Sequence, residues 1–114
     1  MQTAVARQTF ILMSHRKLRR VANEIRGKQV MEAFNILSLM PYRAAKVLLK
    51  KLIEATSNAH VLYEVKPNEL IIDQVLIDEG PAYRRFKPRA QGRIYRREKP
   101  TAHVTLRVKV KQTA

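Results

Sequence analysis

GPAYRRFKPRAQGRIYRREKP, residues Gly80 to Pro100, is the stretch on which the fold turns. It holds eight cations, Arg84, Arg85, Lys87, Arg89, Arg93, Arg96, Arg97 and Lys99, against one acid, Glu98. Its net +7 is half of the +14 carried by the whole 114-residue chain. Its apolar residues follow no period, and its glycines and prolines interrupt regular structure, so it has no means of burying itself. Two geometries are open. One is a loop of about 20 residues, which inside a compact domain is uncommon and usually functional or disordered. The other is a ribbon in which the flanking strands run outward. With a turn near Ala90 to Gly92, arms of about 12 residues at roughly 3.3 Å each would reach about 40 Å. In either case closely spaced cations on a thin protrusion repel one another, and phosphate is the natural counter-surface.

The flanks read as strands. After the stretch, Val104, Leu106, Val108 and Val110 alternate with His103, Thr105, Arg107, Lys109 and Lys111, which predicts a strand with one apolar and one basic face. Before it, ELIIDQVLIDE from Glu69 is a second strand. Farther back, NAHVLYEVKPN from Asn58 reads as a loop, and Arg43 to Asn58 as a long helix. Ala44, Val47, Leu48, Lys51, Leu52 and Ala55 share one face of that helix, and Leu49, Ile53 and Thr56 widen it. So broad a face fits packing on both a sheet and another helix. Val30 to Leu39 forms a shorter helix ended by Pro41. Arg16 to Arg26 forms the first, with Ser14 as N-cap, Gly27 at the C-terminal stop and a stripe of Leu18, Val21, Ala22 and Ile25. AVARQTFIL, residues 4 to 12, predicts an edge strand. The expectation is an α+β fold: a small antiparallel three-stranded sheet with three helices on one face and a long extended β-hairpin. It is one domain, 1–114, with a globular body of 1–79 and 101–114 and a basic extension of 80–100.

Composition narrows the function. Twenty-three Lys and Arg against nine Asp and Glu mark a partner of polyanions, with nucleic acid first and an anionic membrane surface second. A second basic surface lies on the first helix, with Arg16, Lys17, Arg19, Arg20, Arg26 and, past its end, Lys28. A membrane binder would set its cations beside large exposed apolar residues on one amphipathic helix, whereas here the densest charge lies where there is no helical stripe, so no membrane partner is expected. Six of the eight cations in the extension are Arg, whose planar fork suits phosphate and stacks on bases; Tyr83, Phe86 and Tyr95 add stacking surfaces. Cysteine is absent, which excludes disulfides and thiolate metal sites. No signal or transit segment is visible at the N-terminus, so the protein is expected to be made where it works.

Catalytic and metal chemistry find no support. His15, His60 and His103 lack ligand spacing, and Asp78 and Glu79 point to opposite faces of a strand. No catalytic residue, metal or cofactor is expected. Two other classes remain to be discriminated. A small basic enzyme acting on nucleic acid would need a carboxylate cluster or a His–carboxylate pairing, and the nine acids here are scattered. A freestanding regulator would carry a reading module such as a helix-turn-helix.

DEGPAYRRFKPRAQGR, from Asp78 to Arg93, resembles the signature of the bacterial-type large-subunit ribosomal protein L twenty-two family. SHRKLRRVANEIRGKQVMEAFNIL, from Ser14, resembles that family's first two helices, and TAHVTLRV, from Thr101, its closing strand. The three motifs agree in order and spacing over nearly the whole chain. The resemblance implies an α+β body on the outside of the large subunit, bound to its rRNA and beside neighbouring large-subunit proteins. It implies a hairpin threading rRNA to the wall of the peptide exit tunnel. Arg89, Ala90, Gln91, Gly92 and Arg93 would then lie nearest the tunnel and the nascent polypeptide. MPYRAA and the MQT start resemble plastid versions. The implied location is a ribosome in the plastid stroma, with the bacterial cytoplasm as the alternative.

Overall fold

A computed structural model describes residues 2–81, 83–88 and 94–111, and for 83–88 and 94–99 it gives the backbone and its pairing. The order is β1 (Thr3–Ile11), α1 (His15–Ile25), α2 (Val30–Leu39), α3 (Arg43–Tyr63), a 3-10 turn (Pro67–Glu69), β2 (Leu70–Glu79), β3 (Tyr83–Pro88), β4 (Ile94–Lys99) and β5 (Ala102–Val110). β5 runs down the middle of a three-stranded antiparallel sheet, with β1 and β2 on its edges. Its alternation does what its sequence predicts: Val104, Leu106 and Val108 are buried, and His103, Thr105, Arg107 and Lys109 lie half-buried on the other face.

The helices cover the apolar face. α1 crosses β2, α3 crosses β1 and β5, and α2 packs on α3. Ala4 and Ala6 on β1 and Ala55 and Ala59 on α3 are all buried. Such small side chains let a long helix lie close to an edge strand. Leu18, Ile25, Leu48, Leu52, Leu70, Ile72 and Leu106 fill the space between.

Local signals explain where α1 begins and ends. Ser14 Oγ accepts the Arg16 N–H at 3.3 Å, a proper N-cap. Gly27 has φ +74°, with open space where a Cβ would be, so its role is to supply the left-handed backbone that stops α1. α3 departs from expectation. It continues past Asn58 to Tyr63, and the residues read as a loop from Asn58 are helical for another turn and a half. Tertiary contacts outweigh local propensity there. Asn58 donates to the Val5 carbonyl at 3.0 Å, Tyr63 Oη donates to the Thr3 carbonyl at 2.9 Å, and Ala59 is buried between them. Ile53, expected on the apolar face, is 50% exposed.

Between loop and ribbon, the chain takes the ribbon. β3 and β4 pair as an antiparallel two-stranded sheet from Tyr83↔Lys99 to Pro88↔Ile94. The molecule measures 69 × 25 × 18 Å, and its radius of gyration of 17.4 Å exceeds the roughly 13 Å of a compact chain this long.

The body grips the ribbon at its base. The Gly80 N–H donates to the Thr101 carbonyl at 2.9 Å, and Thr101 Oγ1 donates to the Pro81 carbonyl at 2.5 Å. A Cβ on Gly80 would lie 2.5 Å from Thr101 Oγ1, and Thr101 is fully buried with nowhere to retreat. Gly80→Ala is therefore expected to cost about 2 kcal/mol in urea unfolding, as overpacking does. In a Thr101→Ala background the cost should fall below about 1 kcal/mol. An equal cost in both backgrounds would show that the contact is not the cause.

Candidate nucleic-acid interface

The ribbon's register sets its electrostatics. Arg84 stands opposite Glu98, but Arg85 stands opposite Arg97, Phe86 opposite Arg96, and Lys87 opposite Tyr95. Directly opposed like charges destabilise an antiparallel pair, and a free two-stranded ribbon is marginal even without them. Six of the expected RNA-binding cations, Arg84, Arg85, Lys87, Arg96, Arg97 and Lys99, thus lie on two paired strands. The turn residues Arg89, Ala90, Gln91, Gly92 and Arg93 fall outside the described residues.

On α1 the cations divide into two kinds. Arg19 donates twice to the Ile77 carbonyl, from Nε at 3.2 Å and Nη2 at 2.9 Å. Arg26 does the same to the Val75 carbonyl, at 3.3 and 2.8 Å, and also bonds Asn23 Oδ1. Both carbonyls lie on the outer edge of β2, which among the described residues has no strand neighbour there. Farther along that edge, the Ile72 N–H donates to the Lys28 carbonyl at 2.9 Å. α1 and the chain following it therefore cover an edge that would otherwise offer free hydrogen-bonding groups to another strand. Arg19 and Arg26, expected to bind RNA, thus hold the fold, a role that composition alone does not reveal.

Arg16, Lys17 and Arg20 are exposed, and among the described residues none has an acidic partner within 4 Å. Lys28 reaches Glu32 only at 3.9 Å. The division predicts opposite phenotypes. Arg26→Ala should lower stability by about 1 kcal/mol, a fall in Tm of roughly 4 °C. Lys17→Ala should leave Tm unchanged and weaken RNA binding. Thermal melts and RNA titrations of both variants check this, and a stable Arg26→Ala protein would remove the edge-covering role.

The basic face of the sheet is partly neutralised. Asp73, the extra residue of a bulge in β2, lies 4.0 Å from Arg107 and 3.7 Å from Lys109. The stronger positive surface is elsewhere. The β1–α1 connection, α1, the α2–α3 loop and the start of α3 line a cleft of about 720 Å³, together with Pro100 at the foot of the ribbon. Lys17 and Arg20 line it, together with Tyr42 and Arg43, two residues that charge clustering and periodicity do not single out. The available signal is an aromatic–cation pair directly after the proline that stops a helix.

Comparison with known proteins identifies the family. The family model described as "Ribosomal protein L22p/L17e" matches residues 6–109. "Large ribosomal subunit protein uL22" of Acaryochloris marina is 45% identical over 105 residues, covering 92% of this chain and 88% of the relative. "Large ribosomal subunit protein uL22c" of Cyanophora paradoxa is 44% identical over 99 residues, 87% of each. The uL22 of Thermosynechococcus vestitus is 42% identical over 112 residues, covering 98% of this chain and 92% of the relative. With a family match over nearly its whole length and relatives 42–45% identical over most of the chain, the chain belongs to the L22p/L17e family of large-subunit ribosomal proteins.

Proposed function

We propose that this chain is a structural, non-catalytic constituent of the large ribosomal subunit that binds large-subunit rRNA through two basic surfaces. The observation that carries the reading is the two-stranded ribbon with Arg85 opposite Arg97, a pairing that gains most from phosphate on both sides. Membership of a ribosomal-protein family supports the same reading. The body, 1–79 and 101–114, sits on the particle through Arg16, Lys17, Arg20 and Lys28, aided by the remaining charge of Arg19 and Arg26. The extension, 80–100, runs between rRNA segments. Arg89 to Arg93 meet the exit tunnel and the nascent polypeptide there. Neighbouring ribosomal proteins are its other partners, and no membrane is involved; among the described residues no helix is long and apolar enough to cross one.

The compartment has two readings. MPYRAA and the MQT start favour the plastid stroma, and a uL22c relative supports it. The cyanobacterial relatives favour the bacterial cytoplasm.

Sedimentation tests the proposal. Tagged chain expressed in cells should travel with large subunits and stay on them through a high-salt wash. Recovery at the top of the gradient, while other large-subunit proteins remain bound, would overturn it.

A further inference from the structure

The cleft at the foot of the ribbon has a composition that phosphate binding alone does not require. Its floor is apolar and buried: Met13, Val21 and Ala44 are 7%, 2% and 4% exposed. Its rim carries three cations, Lys17, Arg20 and Arg43, and among the described residues no Asp or Glu lines it. Tyr42, 52% exposed, offers an aromatic surface between floor and rim. The start of α3 opens beside it. Tyr42 is the N-cap of that 21-residue helix and makes no side-chain cap hydrogen bond, and the first turn contains no acid. The Ala45 N–H donates to the Tyr42 carbonyl at 3.1 Å, and the positive end of the helix adds to the three cations.

We propose that this cleft receives a single unstacked RNA nucleotide, its base against Tyr42 and the apolar floor and its flanking phosphates on Lys17, Arg20 and Arg43. The inference rests on the RNA-binding reading above and adds a specific site to it. A cation rim alone would accept any polyanion. An apolar floor beneath it rewards an occupant that is flat and apolar in the middle and anionic at both ends. A paired duplex presents a convex, phosphate-lined surface with its bases stacked away, and it cannot fill a cleft of this size. An extruded base can, and single-stranded loops and bulges offer such bases for stacking on aromatic side chains. Position supports the assignment: Pro100, which lines the cleft, directly follows β4 at the foot of the ribbon, so RNA that follows the ribbon comes close to the cleft.

The test compares two RNA probes on the full-length chain: a 16-base-pair duplex, and the same duplex carrying one unpaired adenosine. The wild type is expected to bind the bulged RNA about tenfold more tightly. Tyr42→Ala should remove that preference without changing affinity for the paired duplex, while Tyr42→Phe, which keeps the ring, should retain it. Arg43→Ala should lower the preference as well, which guards against a defect peculiar to one variant. Both positions are exposed, and thermal melts verify that the variants fold. Equal binding of the two RNAs by wild type and Tyr42→Ala overturns the cleft assignment and leaves general RNA binding standing. Tyr42-dependent binding of an octaglutamate peptide, with no preference for the bulged RNA, overturns it in favour of an acidic protein partner. Failure to bind either RNA overturns the RNA-binding reading itself.

Discussion

Raising monovalent salt from about 50 to 200 mM is expected to weaken binding of the isolated chain to its rRNA fragment by about a thousandfold or more. The eight cations of 80–100 are the main source of the effect. Each phosphate neutralised releases condensed counterions, and the logarithm of affinity falls against the logarithm of salt by about 0.7 to 0.9 per phosphate. If all eight meet phosphates, the slope is on the order of −6, using the value for single strands because folded rRNA is not uniform duplex. The double variant Arg84→Ala, Arg85→Ala should weaken binding and flatten the slope by roughly 1 for each phosphate no longer neutralised. Arg85 has an added consequence. It stands opposite Arg97, so its removal relieves repulsion in the free ribbon even as it weakens the complex. The single variant Arg85→Ala should therefore bind less tightly without loss of thermal stability, whereas Arg84→Ala removes the cation that stands opposite Glu98. A slope shallower than about −2 for the wild type would eliminate the multi-phosphate account.

What can be read from the sequence depends on whether the deciding interaction is local. α1 and α2 end where their punctuation says, because Ser14, Gly27 and Pro41 act within one turn of themselves. The apolar face of β5 is legible for the same reason, since alternation is a property of neighbouring residues. The C-terminal end of α3 is not legible. Val61, Leu62 and Tyr63 carry no strong helix signal, and the helix continues there because Asn58 and Tyr63 reach β1, more than fifty residues away. The candidate site divides along the same line. Its charge is visible from composition. That Arg19 and Arg26 hold carbonyls of β2 is not, because nothing near them in sequence indicates which strand edge α1 will cover. Tyr42 and Arg43 escape a sequence reading because Pro41 reads as a helix stop, and only the packed loop brings them to the same cleft as Lys17 and Arg20.

Deleting Ala90 to Gly92 is expected to separate anchoring from tunnel function. The expected turn, Arg89 to Arg93, holds two of the chain's 23 cations, too few to supply most of its affinity for RNA. The remaining cations lie on the body, on α1 and on the paired strands, whose register from Tyr83↔Lys99 to Pro88↔Ile94 does not involve the deleted residues. Particles assembled with the deletion should therefore contain the protein at close to normal occupancy. On the proposed placement at the tunnel wall, where side-chain size and charge would face the nascent chain and any small molecule lodged beside it, the shortened extension would no longer reach as far. The expected phenotype is altered nascent-chain stalling or altered sensitivity to tunnel-binding macrolides, in particles that otherwise assemble normally. A control follows from backbone chemistry. Glycine adopts positive φ without steric cost, which a tight turn often needs, so Gly92→Val is expected to disturb tunnel behaviour in the same direction as the deletion. The deciding measurement pairs protein occupancy with drug and stalling response in the same particles. If occupancy collapses while the surviving particles stall and respond normally, the turn is an assembly anchor and the tunnel assignment fails.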